Sequence, residues 1–116
     1  MPRLDDLADT MLHRARASGS GHSAELIVHD GVLRQTVMGL RADTELAEHE
    51  APAAATLQVV SGRIRVLKRG QLAEELTPGE LVSLTHSRHT IEALEDSVYL
   101  LTTVSGPPRE RDARVA

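Results

Sequence analysis

From Ala24 to Val104 turn residues cut the chain into about nine short runs of alternating or β-branched residues, and that spacing leaves few folds open. The runs are 24–29, 33–40, 44–50, 56–61, 63–68, 71–76, 80–84, 89–94 and 97–104. They are broken at Asp30-Gly31, Arg41 to Asp43, Ala51 to Ala53, Ser61-Gly62, Arg69-Gly70, Pro78-Gly79, Ser87 and Glu95-Asp96. No helical period intervenes between them, so the pattern fits an antiparallel sandwich or barrel and not an alternation of strands and helices. A small jelly-roll barrel is the natural candidate.

Ahead of the strands, Leu4, Leu7, Ala8, Met11, Leu12 and Ala15 recur at helical spacing. Asp5 and Asp6 fall in the first turn and His13, Arg14 and Arg16 in the last, as the helix dipole favours. The spacing predicts a short amphipathic helix from Leu4 to Ala17, ended by the loop residues Ser18 to Gly21. The expected organisation is a helix and loop over 1–22, a barrel over 23–104, and a charged, proline-bearing tail over 105–116 that is flexible. At 116 residues this is one domain, without an internal repeat.

Composition narrows the function. A net charge of −4, with no Phe or Trp and the single Tyr99, leaves neither the basic surface nor the stacking platforms that nucleic-acid binding needs. The core must be aliphatic. No cysteine occurs, which excludes disulfides, thiolate catalysis and cysteine-based zinc sites. The charged N-terminus lacks an apolar leader and no run approaches a membrane span, so a cytoplasmic protein without membrane contact is expected. Nucleophile-elbow, phosphate-loop and dinucleotide signatures do not occur.

Two segments, AEHEAPAAATLQVVSG and LTPGELVSLTHSRHT, resemble the paired half-motifs of the cupin superfamily. In the first, His49 and Gly62 hold the places of a ligand histidine and a hairpin glycine, while Asp43 stands for the opening glycine. Ala51 falls where the second histidine is usual and Ala55 where the glutamate is usual. In the second, Pro78-Gly79 forms the turn, Glu80 takes the acidic place, His89 matches the family histidine and Thr85 replaces a common proline. The resemblance implies an all-β, small antiparallel jelly-roll barrel with a short N-terminal α-helix. It also implies a homodimer.

Cupins with the full ligand set hold Fe, Mn, Ni, Cu or Zn in the barrel through histidines and a carboxylate. By this resemblance His49 and His89 are the candidate metal ligands, and alanine can supply neither of the others. A third ligand would come from His86, Gln35, Glu50 or His29, His86 being the most attractive because it lies three residues before His89. Strand alternation turns residues three apart to opposite faces and argues against it. If His49 faces inward, alternation carries Ala47 and Ala51 inward and Glu48 and Glu50 outward; Ala55, Leu57 and Val59 form a core face. Of Arg34, Gln35 and Thr36 only one parity set can reach the interior. His13, His22 and His29 read as surface residues, the pairs Glu48/Glu50 and Glu74/Glu75 as solvated faces, and Met38 as core.

Three functions stay open: a divalent-metal cupin acting on a small molecule, a metal-free small-molecule-binding barrel, or a dimeric structural or regulatory protein without catalysis. The catalytic residues, if any, are not identified by the sequence.

Overall fold

A computed structural model gives the architecture; it describes residues 1–50, 54–84 and 88–104, with 47–50 described by their backbone. Among the described residues the chain forms α1 (Leu4–Ala17), β1 (His22–Asp30), β2 (Leu33–Leu40), β3 (Glu45–Glu50), β4 (Ala54–Ser61), β5 (Ile64–Lys68), β6 (Gln71–Leu76), β7 (Leu81–Leu84), β8 (Arg88–Ala93) and β9 (Ser97–Val104). All strand pairs are antiparallel. They form two sheets, one ordered β1-β2-β9-β4-β7 and the other β3-β8-β5-β6. Short links carry β2 to β3, β4 to β5, β6 to β7 and β8 to β9, each crossing from one sheet to the other at the same end of the barrel. This is the jelly roll that the turn spacing predicts.

Turn chemistry fixes the register. Arg69 and Gly70 both have positive φ, 53° and 77°, as a two-residue hairpin between Lys68 and Gln71 requires. Pro78 and Gly79 make a tight turn closed by the Glu80 amide donating to the Thr77 carbonyl at 3.0 Å, with Gly79 at φ 90°. The Glu80 carboxylate accepts from the Thr77 amide at 2.8 Å and its hydroxyl at 2.9 Å, and those bonds hold its pKa below the usual range. The acidic place in the second half-motif thus locks a turn. Asp43 has φ 65°, a left-handed conformation that aspartate tolerates better than most side chains and that explains a glycine at the same place in related motifs.

Alternation splits the first sheet between two cores. Leu40, Leu57, Val59 and Tyr99 face the second sheet and meet Ile64, Val66, Leu76, Ile91 and Ala93 inside the barrel. Burial pushes the Tyr99 phenol pKa up and keeps it neutral. On the opposite face Val37 and Val98 pack with Ala8 and Met11 of α1. The helix therefore covers the outside of the barrel. Leu4, at its first turn, is 39% exposed and lies off the buried stripe.

Asp96 ties α1 to the barrel. One carboxylate oxygen accepts from the Ala42 amide at 2.8 Å and the other from Arg16 Nε at 2.7 Å. The amide first, and Arg16 second, hold its pKa below the usual carboxylate range. A depressed folded-state pKa contributes stability above the unfolded value that is lost as pH falls through the folded one. Asp96→Ala should cost about 1.5 kcal/mol at neutral pH. Urea midpoints of wild type and variant should converge as the pH is lowered into that acidic range.

Candidate functional site

The interior is apolar at the crossover end and changes character at the other. Along β8 His89, Ile91 and Ala93 share the inward face, and His89 is only 2% exposed. Its Cα partner across the sheet is His49 on β3. An irregularity in the pairing produces this match. Glu45 pairs with Glu92 and Leu46 with Ile91, but the next pairs are His49 with His89 and Glu50 with Arg88, so β3 carries one extra residue. Leu46 packs against the barrel core. Unbroken alternation from Leu46 would set His49 out of phase with it, and the bulge brings His49 opposite a buried histidine. The unbroken alternation expected around Ala47 and His49 is therefore corrected at the level of register; the side chains of Ala47, Glu48, His49 and Glu50 lie outside the described residues.

Around the same end, strands of both sheets contribute inward-parity residues. Ala55, where the resemblance places a glutamate, is 5% exposed and shares its face with Leu57 and Val59, as the sequence predicts. Ala55 pairs with Leu84 and with Thr103, and Thr103 pairs in turn with Arg34. Arg34 and Thr36 share parity with Met38, which packs against the barrel core. Lys68 shares parity with Ile64 and Val66 on β5. We call this the polar end.

Several sequence candidates fall elsewhere. Gln35 lies on the face of Val37, toward the helix side, and its amide donates to Thr102 Oγ1 at 3.1 Å, so it is not an interior ligand. His13 is exposed on α1; His22 is half-buried on β1 opposite Leu40, and His29 is exposed opposite Arg34. Glu75 pairs with Arg65 at 3.3 Å on an exposed face, as a solvated carboxylate should. His86, Thr85, Ala51 and the tail 105–116 lie outside the described residues. Among the described residues, no group of three or more His, Asp or Glu is placed to hold a metal ion. Sequence reading missed Lys68 and Thr103 because each is unremarked within its own strand; only cross-strand register brings them to the histidine level.

Among the described residues no helix is long and apolar enough to cross a membrane. Neither a protein-family model nor a curated protein matches the chain. Solved structures do. An RmlC-like cupin from Shewanella frigidimarina superposes with a TM-score of 0.67 at 18% identity, over 77% of this chain and 80% of that one. A cupin superfamily protein from Desulfitobacterium hafniense gives 0.66 at 13% identity, over 73% and 78%. A salicylate 1,2-dioxygenase from Pseudaminobacter salicylatoxidans gives 0.72 at 18% identity, covering 85% of this chain and 33% of that one. These likenesses, the two-sheet topology and the histidine register converge on one architecture: the chain has the cupin fold, a small antiparallel jelly-roll barrel with a short helix laid on its outer face.

Proposed function

We propose that the protein is a small-molecule-binding barrel whose ligand enters at the polar end and is contacted by His49 and His89, without a tightly held resident metal. The observation that carries this reading is the buried His89 set in a wall that includes donor-free Ala55. A catalytic metal normally takes about three protein ligands. The resemblance supplies two imidazoles, His49 and His89, and Ala55 offers a small apolar surface where the resemblance places a carboxylate. Such a wall suits a pocket that is mostly apolar with a few convergent polar groups. The imidazoles would orient the ligand by hydrogen bonding, each offering one donor and one acceptor when neutral.

The test is a thermal-shift screen of untagged protein against small organic compounds, with and without EDTA. Stabilisation should survive the chelator and be lost in His89→Leu, which keeps the volume of the side chain but no hydrogen bond. Stabilisation that vanishes in EDTA would count against the reading.

The His49–His89 register favours a second reading, a divalent ion shared by two imidazoles from adjacent strands. Elemental analysis separates the two. A stoichiometric ion in wild type that disappears in His49→Ala/His89→Ala would support the second reading; trace metal in both supports the first.

A further inference from the structure

Charge pairing divides the molecule. Arg3, Arg14, Arg16, Arg63 and Arg65 each lie within ion-pair distance of a carboxylate, and Arg41 donates to the Ser18 carbonyl. The side chains of the remaining described Arg and Lys residues, Arg34, Lys68, Arg69 and Arg88, form no ion pair or hydrogen bond with another described residue. All of them lie at the polar end: Arg34 beside Thr103, Lys68 and Arg69 at the β5–β6 hairpin, Arg88 next to His89. Of the five described Arg and Lys side chains without an ion pair, four thus lie on one rim; the fifth, Arg41, is at the crossover end.

Position on the strands sharpens the point. Arg34 has inward parity on β2 of one sheet, and Lys68 has inward parity on β5 of the other. β2 and the strand that carries His49 belong to different sheets, joined by a short link at the crossover end, while β5 borders the strand that carries His89. Two cations of inward parity therefore stand at the polar end on walls of different sheets. The carboxylates nearest this end are Asp30, exposed at the end of β1, and Glu48 and Glu50, which are described by backbone alone. From this we infer that the polar end recognises a small organic anion, with Arg34 and Lys68 as its charge-binding residues and the histidines at the base of the site. The inference rests on the ligand site proposed above and names the class of its ligand. A guanidinium can grip a carboxylate through two parallel N–H bonds, and an ammonium adds a point charge from the other side.

Thermal shift and calorimetry with benzoate and succinate, each against its uncharged amide, test the assignment on the full chain. The carboxylates should raise the melting temperature where benzamide and succinamide do not, and the shift should shrink as salt is added. Arg34→Gln/Lys68→Gln should weaken carboxylate binding at least about tenfold, whereas Arg63→Gln, at the other end, should leave it unchanged. Unliganded melting temperature controls for folding. Amides that stabilise as well as carboxylates, in a manner dependent on His89, would overturn the anion assignment and leave the ligand site standing. Carboxylate binding undiminished in the double variant would also overturn the assignment, and no shift from any of the four compounds would overturn both.

Discussion

Gly62→Ala should leave the barrel barely able to fold. Gly62 sits at φ 86°, and a Cβ there would fall on Ser97 Oγ and the Asp96 carbonyl and come within 2.6 Å of Ser97 Cα. Neither obstacle can yield. Ser97 is fully buried, and its hydroxyl accepts from the Arg63 amide at 2.9 Å and lies 2.7 Å from the Glu95 carbonyl. Left-handed strain and backbone overlap together should cost about 4 kcal/mol, a large share of the ~5–15 kcal/mol that holds a domain folded. Gly70→Ala isolates the first term, since Gly70 has φ 77° with nothing within 4 Å of its would-be Cβ. That variant should lose only about 1 kcal/mol. Urea midpoints of the two variants measure the difference; equal losses would mean that crowding at Ser97 contributes nothing.

Gly39→Val should strip α1 from the barrel without breaking the barrel itself. Gly39 has ordinary backbone angles, so its requirement is for space: a Cβ would stand 2.6 Å from the Met11 carbonyl oxygen and 2.7 Å from Ser23 Oγ. Ser23 Oγ donates to that same carbonyl at 2.7 Å, and Met11 is fully buried in a cluster with Val37 and Val98. A valine must therefore push the helix outward and open this second core, at about 3 kcal/mol. Far-ultraviolet circular dichroism should lose helical signal while the strand signal persists, and proteolysis should cut first within 1–21. A variant that keeps its helix and its urea midpoint would show that the helix does not depend on this close approach.

These two glycines also show what a sequence can and cannot disclose. Gly62 stands out in the chain because Ser61-Gly62 breaks two β-branched runs, and local turn chemistry is written in adjacent residues. Gly39 lies inside the run LRQTVMGL and carries no local signal, because its reason is the helix that lands on it from 28 residues earlier. The strands, the helix bounds and the Ala55-Leu57-Val59 face were legible for the first reason: each depends on period and punctuation within a few residues. The site was only partly legible. His49 and His89 were visible through their motif, but Gln35 and Arg34, adjacent in sequence, could not be sorted to faces until the register with Thr102 and Thr103 was known. The bulge in β3 was illegible altogether, since an extra residue leaves no mark on a strand read alone. Lys68 was passed over because its relevance comes from β8, the strand beside it.

The proposed ligand site lies at the polar end, and not on the helix face or at an exposed sheet edge. An amide-resolved NMR titration tests it most directly, using the most stabilising compound from the thermal-shift screen with EDTA present. Saturable shifts should concentrate at Arg34, Ala55, Lys68, His89 and Thr103. Shifts confined to α1 or to the β6 edge, or binding that disappears once EDTA is added, would contradict it.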